Sequence, residues 1–462
     1  MGINGAGSSF RDPSGFIFFK DHRVYRQINI CYKDNYEMLM RTGLYARLTA
    51  AGFLVSHKEV GTNVPSDAFK IIAPDEIPFV SYPYEWCFEQ LKDAALLTLA
   101  VQKEAFARGM SLKDASAFNV QFVGAKPIFI DTLSFEKYRE GSPWVAYKQF
   151  CEHFLAPLAL AAFCDVRLGQ LSRVYLDGIP LDLATKLLPL SAKIKPLILF
   201  HIVLHARAQK NLSSPTAPKP ASGQKFGRAA FAELIDSLQA TIQGLECRPA
   251  KSVWSDYQGN SCESYENAAF ARKKTLVAEF LQIAKPKTLW DLGANSGTFS
   301  TIAAKMGIYV ISMDNDESVV EKNYHNAKEE NKNNILPLLV DITNPTPGTG
   351  WANTERDPLL SRPRPDTLLA LALVHHLAIA KNIPLPMIAK LFAAICKTLI
   401  IEFVPKEDKQ TQRLLLTRED IFNNYNETTF EDAFGKFFAI VKKTKISESE
   451  RTLYLMAVKN NS

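Results

Sequence analysis

The C-terminal half of the sequence alternates short apolar runs with stretches of helical periodicity. The runs are Thr288–Trp290, Tyr309–Met313, Ile335–Val340, Thr367–Val374 and Thr398–Val404. Strands that alternate with helices build a parallel sheet with helices on both of its faces. Two further strand-like runs follow with no helix between them, at Phe437–Lys442 and Thr452–Val458. We therefore predict an α/β domain whose doubly wound, mostly parallel sheet is closed by an antiparallel hairpin.

The turn after the first run is rich in small residues. It reads LWDLGANSGTFS over residues 289–300, and Gly293 and Gly297 separate the predicted strand from a helix that begins near Thr298. Glycine adopts positive φ without strain and allows a ligand to approach the backbone closely. Asn295 stands between the two glycines, and Asn also tolerates the left-handed region. The pattern fits either a ligand-binding loop or a tight strand–helix turn.

Three acidic residues favour the ligand-binding alternative. Asp291 ends the first predicted strand, Asp314 ends the second and Asp341 ends the third. The carboxyl ends of parallel strands meet at one edge of the sheet, where open α/β sheets bind ligands. One acid at such a position is commonly just a helix N-cap. Three together indicate a single crevice, and Asp314 follows the glycine turn by about 20 residues, where a carboxylate accepts ribose hydroxyl protons.

With these residues in place, the chain from about Lys274 to its end resembles the class I S-adenosylmethionine-dependent methyltransferases. The resemblance rests on the acid and spaced glycines of residues 291–297 and on the closing hairpin. It implies that S-adenosylmethionine is the cofactor. The cofactor-binding residues that it implies are Asp291, Gly293, Asn295, Gly297, Asp314 and Asp341. Asn295 replaces a glycine of the family motif, which is a tolerated variation.

The resemblance also implies which part of the cofactor each residue meets. Asp291, Gly293 and Gly297 hold the methionine portion, Asp314 holds the ribose, and Asp341 binds the adenine amine. The sequence lacks the third glycine of dinucleotide-binding turns. That absence argues against NAD, because the methyl donor carries no pyrophosphate.

The fourth predicted strand ends at His375 and His376, where class I methyltransferases place residues that face the methyl group. Methyl transfer is an in-line displacement, so the protein supplies proximity and, for an acceptor that carries a proton, a base. An imidazole with a pKa of about 6.5 suits that role. Alternatively, one histidine caps the next helix and the other packs beneath it. Glu402, at the end of the fifth strand, is a second candidate base or substrate ligand.

Two absences narrow the methyl acceptor. In the class I methyltransferases that this chain resembles, an Asn/Asp-Pro-Pro-aromatic sequence at the fourth strand marks methylation of the amino groups of adenine or glutamine. A cysteine nucleophile there marks carbon methylation of cytosine. The fourth strand of this sequence carries neither. We therefore expect transfer to an oxygen or nitrogen of an unidentified small-molecule or macromolecular acceptor. The formal net charge of +6 leaves RNA open as an acceptor without favouring it.

The first half contains one constellation of polar residues, in the segment SLKDASAFNVQFVGAKPIFID. Asp114, Asn119 and Asp131 have the spacing of the catalytic loop and metal-binding aspartate of protein kinases. Residues 10–205 therefore resemble a degenerate protein-kinase-like fold, since Asp-Phe-Gly and a glycine-rich phosphate loop are both absent. The resemblance implies a nucleotide or metal site at these three residues. Alternatively, they are turn and capping residues of a substrate-recruiting domain.

A polar segment rich in Pro and Ser divides the chain. We interpret residues 208–228 as a linker between a kinase-like α+β domain at 1–207 and the methyltransferase-like domain at 229–462. The expected function is a methyltransferase whose acceptor is presented partly by the first domain. One alternative is an ATP-binding module or phosphotransferase in the first half, joined to a regulatory S-adenosylmethionine-binding domain. A second is a non-enzymatic interaction protein.

Two segments are expected to cover the crevice. Residues 251–274 carry Trp254, Tyr257 and Tyr265 and precede the first strand of the parallel sheet, where such segments roof the donor. Residues 343–365 form a long loop rich in Pro and Gly, which predicts either a substrate lid carrying Trp351 and Arg356 or a passive surface loop.

The cellular context follows from the cysteines and the apolar runs. The seven cysteines show neither a disulfide framework nor metal-ligand spacing, so we expect reduced thiols and no metal site. The start of the chain lacks a signal region, and no apolar run reaches the length of about 18 residues that a membrane span needs. We expect a cytoplasmic protein without a membrane partner.

Overall fold

The computed structural model describes residues 9–21, 23–60, 67–212, 226–247, 267–330, 332–416 and 419–459. The chain forms two compact units. The N-terminal unit comprises Met1–Arg248 and Gly348–Asp357, and the C-terminal unit comprises Pro249–Pro347 and Pro358–Ser462. Among the helices in the described ranges, none combines the length and apolar character that crossing a bilayer requires.

The N-terminal unit contains one four-stranded antiparallel sheet and two short ladders. The sheet has the order β1-β2-β4-β3, and the ladders pair β5 with β8 and β6 with β7. The strands are β1 (Gly15–Lys20), β2 (Arg23–Asn29), β3 (His57–Glu59), β4 (Ala68–Pro74), β5 (Met110–Leu112), β6 (Val120–Val123), β7 (Lys126–Phe129) and β8 (Phe135–Lys137). β1 and β2 pair antiparallel with each other, from Gly15 opposite Ile28 to Lys20 opposite Arg23. The strands β5 to β8 are only three or four residues long, which is too short to show a period in the sequence.

Helices make up the rest of this unit. They are α1 (Lys33–Arg41), α2 (Leu44–Ala50), α3 (Phe88–Ala107), α4 (Tyr147–Phe150), α5 (Ala156–Phe163), α6 (Leu181–Leu187), α7 (Leu190–Lys193), α8 (Pro196–Ile198), α9 (His205–Leu212) and α10 (Arg228–Gln243). Two π-helical segments, Cys151–Leu155 and Leu199–Leu204, join α4 to α5 and α8 to α9. α3 buries side chains around most of its circumference, which makes it the central helix of the unit.

α10 belongs to the N-terminal unit. Phe231 of α10 is buried, and its ring stacks on Phe106 with the centroids 4.5 Å apart. The boundary between the units therefore lies at residues 248 and 249 rather than in the segment 208–228 predicted as a linker. Residues 213–225 of that segment lie outside the described ranges. Helical periodicity identifies α10 as a helix, but it does not show which core receives the apolar face.

The C-terminal unit is built on a seven-stranded sheet with the order β11-β10-β9-β12-β13-β15-β14. β15 runs antiparallel to both of its neighbours, and the other pairs are parallel. The strands are β9 (Thr288–Leu292), β10 (Tyr309–Asp314), β11 (Ile335–Leu339), β12 (Thr367–Ala370), β13 (Thr398–Phe403), β14 (Phe438–Lys445) and β15 (Thr452–Val458). The predicted α/β sheet closed by an antiparallel hairpin is confirmed.

The helices of this unit are α11 (Asn267–Ala284), α12 (Thr298–Lys305), α13 (Glu317–Glu329), α14 (Leu385–Ile395), α15 (Lys409–Leu415) and α16 (Glu427–Gly435). α12 begins where the sequence predicted it. β12 ends four residues before its predicted end, because the chain turns at Ala372, which has a φ of 49°. A π-helical segment, His376–Ala380, follows this turn.

Candidate functional site

A cavity of about 620 Å³ opens at the carboxyl ends of the parallel strands of the C-terminal unit. Parallel strands direct their carboxyl ends to one edge, which is the usual position of a ligand crevice in such sheets. All six residues implied to bind a cofactor lie around this edge, and five of them line the cavity: Asp291, Gly293, Asn295, Asp314 and Asp341. Gly297 shapes the turn beside it, and the sequence prediction of a single crevice at this edge agrees with the geometry.

The turn between β9 and α12 contains three residues with positive φ. The N–H groups of Gly293 and Ala294 both donate to the carbonyl oxygen of Met313, at 2.9 and 3.0 Å, which fastens the turn to β10. Gly293, Asn295 and Gly297 have φ values of 71°, 49° and 80°. A Cβ atom at Gly297 would lie 2.2 Å from Oδ1 of Asn323. Gly297 is therefore required by both its backbone conformation and its neighbour.

Asp291 is a buried acid at the end of β9. The hydroxyl of Ser300 donates to its Oδ2 at 2.7 Å, and the same hydroxyl lies 2.9 Å from the hydroxyl of Ser312. Burial raises the pKa of Asp291 from 3.8 to about 6, the Ser300 hydrogen bond opposes that rise, and nearby Asp314 adds to it. Asp291 is thus an acid that titrates close to neutral pH and borders the cavity.

Asp314 ends β10 with its carboxylate oriented by backbone groups. Oδ2 accepts the N–H of Asn295 at 2.9 Å, and Oδ1 accepts the N–H of Asp316 at 3.1 Å. Burial raises its pKa, and these backbone hydrogen bonds counteract part of the rise. Asp341 is fixed in a comparable way, since Oδ1 accepts both the N–H and the hydroxyl of Thr343 at 2.8 and 2.7 Å. Each carboxylate keeps further acceptor capacity for a ligand.

The two adjacent histidines have different environments. His376 lines the cavity, whereas His375 is not among the lining residues and is 1% exposed. Neither ring nitrogen of His375 has a hydrogen-bond partner within the described residues. Burial lowers the pKa of His376 to about 4, with a further contribution from Arg451, and burial lowers the pKa of His375 well below its usual range. Both imidazoles are therefore neutral at neutral pH, and His376 is the one that a ligand can reach.

Glu402 is fully buried and is held by two cations. Its Oε2 accepts from Nζ of Lys273 at 2.6 Å and from the N–H of Ala372 at 2.7 Å, and its Oε1 lies 3.6 Å from Arg451. Arg451 also donates to both carboxylate oxygens of Asp408, at 2.7 and 3.0 Å. Glu402 does not line the cavity, but Lys273 and Arg451 do. Its geometry suits an anchor for these two cations better than the predicted base or substrate ligand.

Lys273 and Arg451 are two buried cations that line the cavity and that sequence reasoning missed. Lys273 lies on α11, and Arg451 immediately precedes β15. Both side chains are almost fully buried. In the sequence each is one of many exposed-looking cations, since Lys273 stands in a basic run and Arg451 in a polar turn. The periodicity of α11 and the antiparallel placement of β15 were the two signals that could have located them at the sheet edge.

The constellation predicted in the N-terminal unit is brought together in space. Asp114 accepts the N–H of Ser116 at 2.9 Å and is hydrogen-bonded to the side chain of Asn119. Burial raises the pKa of Asp114, and Asp131 adds to the rise. Asp131 forms an ion pair with Arg26 and accepts the N–H of Leu133 at 3.0 Å. These contacts match the turn and capping alternative.

A metal site at this constellation gains no support. In the parts of the chain that the structure describes, no group of three or more His, Cys, Asp or Glu side chains is placed to hold a metal ion. Arg26 already neutralises Asp131, the acid that the kinase resemblance would assign to a metal. The kinase-like interpretation of this half stays a prediction.

The middle of the long loop predicted as a lid, Gly348–Asp357, belongs to the N-terminal unit, and the rest of the loop belongs to the C-terminal unit. The guanidinium of Arg356 lies 4.4 Å from the ring centroid of Phe118, and Glu355 pairs with Arg11 through two hydrogen bonds. The N–H of Asp357 donates to the hydroxyl of Tyr82 at 2.8 Å. The lid prediction is therefore not supported for Arg356. The predicted roof residues Trp254, Tyr257 and Tyr265 lie outside the described residues.

Comparisons with known proteins give one relative along almost the whole chain. The nodulation protein NoeA of Rhizobium meliloti (strain 1021) is 36% identical over 454 residues, which cover 96% of this chain and 94% of NoeA. The 23S rRNA (uracil(1939)-C(5))-methyltransferase RlmD of Alcanivorax borkumensis is 29% identical over 117 residues, covering 25% of this chain and 26% of RlmD. No protein-family model matches the chain.

Among solved structures, the magnesium protoporphyrin IX methyltransferase ChlM of Synechocystis PCC 6803, crystallised with bound SAM, has a TM-score of 0.31 and 14% identity. The match covers 45% of this chain and 95% of that chain. The NoeA match differs from it in extending over nearly the full length of both proteins. This chain belongs to the family of the nodulation protein NoeA.

Proposed function

We propose that the chain is an S-adenosylmethionine-dependent methyltransferase that acts on an oxygen or nitrogen of an acceptor. The observation that carries the proposal is the position of Asp314. Its carboxylate ends β10, lines the cavity and is oriented by two backbone N–H groups. A fixed carboxylate at this strand end is suited to accept the two hydroxyl protons of a ribose. The partial match to RlmD, which is named as a C(5)-methyltransferase, supports methyl transfer as the reaction and does not bear on the acceptor atom.

The residues around the cavity fit the proposed cofactor. The glycine turn leaves the backbone accessible beside Asp291, where the amino acid portion would lie, and no pyrophosphate-type third glycine is present. Asp341 offers a carboxylate to an exocyclic amine, next to the apolar side chain of Ile342. A ligand with an amino acid at one end, a ribose and an aminopurine thus finds a matching group for each part.

His376 is the proposed general base. The cofactor, when bound, supplies a methyl group on a positively charged sulfur. His376 is neutral at neutral pH because burial holds its pKa at about 4, so its imidazole has a lone pair with which to take the acceptor's proton. Because its pKa is low, His376 is a weak base. It is suited to take a proton from an acceptor atom that becomes more acidic as its bond to the methyl group forms.

Apolar side chains line the same cavity as His376. They include Phe270, Phe299, Leu377 and Leu414. Apolar walls exclude water, which would otherwise compete with the acceptor and weaken electrostatic interactions. Buried Lys273 and Arg451, locked by Glu402, fix the adjoining surface in one arrangement. The acceptor and the methyl group would meet in this cavity.

Thermal unfolding in the presence of ligands tests the proposal. S-adenosylmethionine and S-adenosylhomocysteine should each raise the melting temperature of the C-terminal unit, and Gly297→Val should abolish the rise. ATP with magnesium should have no effect. A rise with ATP and magnesium that Asp131→Asn removes, together with no response to either sulfur compound, would instead favour the alternative of a nucleotide-binding N-terminal half.

A further inference from the structure

An apolar strip runs along the surface of the N-terminal unit between residues 187 and 204. Six large hydrophobic side chains are exposed in this short stretch, and we name them the 187–204 surface: Leu187, Leu190, Ile194, Leu197, Phe200 and Leu204. Leu190 is 78% exposed and Ile194 is 74% exposed. Single exposed hydrophobic residues are ordinary, but a contiguous group usually marks an interaction site.

The exposure follows a helical pattern. Successive members of the six are three or four residues apart, and they are spread over four short helical elements. Leu187 ends α6, Leu190 begins α7 and Ile194 follows it, Leu197 lies in α8, and Phe200 and Leu204 lie in the π-helical segment Leu199–Leu204. Residues on the other face of the same helices, including Ala192, Ile198 and Ile202, are buried. The stretch is therefore a set of packed helices that present a second, apolar face to solvent.

The charged residues within residues 183–212 are all basic. Residues 183–212 contain no Asp or Glu, whereas Lys186, Lys193, Lys195 and Arg207 lie in the same stretch. The nearest acid along the chain is Asp182, which pairs with Lys186 at 3.6 Å on the exposed surface. Such a pair is weak in water. An apolar surface flanked by cations is complementary to a partner that has an anionic outer layer over an apolar interior.

We propose that the 187–204 surface docks peripherally on an anionic phospholipid bilayer. Leu190 and Ile194 would enter the boundary between headgroups and acyl chains, while Lys193 and Lys195 contact the headgroups. Lysine stems extend along an apolar layer and keep the ammonium in the polar zone. Protein interfaces favour aromatic residues, Met and Arg and are depleted in Lys, whereas five of the six residues of the 187–204 surface are aliphatic and the cations of the stretch include Lys186, Lys193 and Lys195. A lipid surface is therefore the better match.

This inference does not depend on the proposed methyltransferase activity. The strip belongs to the N-terminal unit, and the cofactor cavity belongs to the C-terminal unit. Peripheral docking is also compatible with the absence of a spanning helix among the described residues. It differs from the sequence-based expectation of no membrane partner, which rested on the lack of a spanning apolar run.

Vesicle co-sedimentation of the full chain tests the proposal. We expect binding to vesicles of phosphatidylcholine and phosphatidylglycerol, little binding to phosphatidylcholine alone, and weaker binding at raised salt. The double variant Leu190→Ser/Ile194→Ser should lower the partition coefficient by at least about tenfold. Lys193→Glu/Lys195→Glu should also reduce binding. The control Met387→Ser/Ile421→Ser removes two residues that are 61% and 64% exposed in the C-terminal unit and should bind like the unchanged protein.

Two results would overturn the proposal. One is the absence of binding to the anionic vesicles, or binding that survives both variants of the 187–204 surface. The other is a wild-type dimer in analytical ultracentrifugation that becomes a monomer in Leu190→Ser/Ile194→Ser, with no vesicle binding, which would assign the strip to contact with a second copy. Circular dichroism of each variant checks that it is folded.

Discussion

Lys273 and Glu402 form an almost fully buried ion pair, with 2.6 Å between Nζ and Oε2 and side-chain exposures of 4% and 0%. It connects α11 to β13, two elements far apart in the sequence. Burial lowers the pKa of Lys273, and the neighbouring Glu402 carboxylate acts in the opposite direction by favouring the charged ammonium. Each group has lost its hydration on burial, so the charge of each is stabilised by the opposite charge of the other.

The pair makes a prediction about stability. Glu402→Gln should lower the free energy of unfolding of the C-terminal unit by about 3–5 kcal/mol, because it leaves Lys273 buried beside Arg451 without its carboxylate. The double variant Lys273→Met/Glu402→Gln should recover part of that loss. Chemical denaturation measures both. Lys442 and Glu279 form a half-exposed pair at 3.5 Å that serves as a control, and Glu279→Gln should cost less than about 1 kcal/mol.

Gly297 and Gly307 offer a matched pair of glycines. Both have positive φ, 80° and 82°, but a Cβ at Gly297 would meet Asn323 whereas a Cβ at Gly307 would meet open space. Gly307→Ala should cost about 1–2 kcal/mol of unfolding free energy through its backbone conformation alone. Gly297→Ala should cost at least ~1 kcal/mol more and should also remove cofactor binding. Equal costs with binding retained in both variants would contradict the assigned role of the turn.

Asp291 makes a prediction about pH. Its folded-state pKa of about 6 lies above its ordinary value of 3.8, so the folded chain binds this proton more tightly than the unfolded chain does. The resulting stabilisation is complete below pH 3.8 and is lost as the pH rises to about 6. Asp291→Asn should therefore gain stability relative to the unchanged protein over this window, by roughly 2–3 kcal/mol at pH 7.

Urea denaturation from pH 4 to pH 7 measures this difference, and Asp366 supplies a control of opposite sign. The Lys397 ammonium lowers the pKa of Asp366, so its contribution is present above its ordinary pKa and is lost as the pH falls. Asp366→Asn should therefore lose stability relative to the unchanged protein at neutral pH, and only slightly because Lys397 is exposed. Parallel pH curves for Asp291→Asn and the unchanged protein would contradict the raised pKa.

The two histidines should respond differently to substitution. His375→Leu removes two buried nitrogens that have no hydrogen-bond partner within the described residues, so the unfolding free energy should stay within about 1 kcal/mol of the original or rise. S-adenosylmethionine binding should also persist. His376→Leu should keep cofactor binding but slow methyl transfer by about 10²–10⁴-fold, measured with an identified acceptor. A larger loss of transfer in His375→Leu than in His376→Leu would reverse the assignment.

The sheet of the C-terminal unit could be predicted from the sequence because its information is local. Each strand is an apolar run, and each acid of the site directly follows one, so the position of Asp314 follows from the parallel topology. The ion pair of Lys273 with Glu402 could not be predicted, because it depends on how α11 packs against β13. The choice between His375 and His376 depends on the turn at Ala372, which has no periodicity to read.

The N-terminal unit was predicted less well because the information that fixes its strand pairing is not local in the sequence. β5 to β8 are three or four residues long, and their pairing joins β5 to β8 across the β6–β7 hairpin. The loop around Arg356 shows how packing overrides sequence position. It lies between two strands of the C-terminal sheet in the sequence but packs on Phe118 of the N-terminal unit.

Calorimetric titration of the unchanged protein and of Asp314→Ala with S-adenosylmethionine tests the central claim most directly. Asp131→Ala, in the N-terminal unit, is the control for loss of a carboxylate elsewhere. We expect one binding site per chain in the unchanged protein and in Asp131→Ala. In Asp314→Ala the affinity should be at least tenfold weaker, which is a loss of about 1.4 kcal/mol of binding free energy. Absence of binding in the unchanged protein, or equal affinity in all three proteins, would contradict the assignment of the cavity to this cofactor.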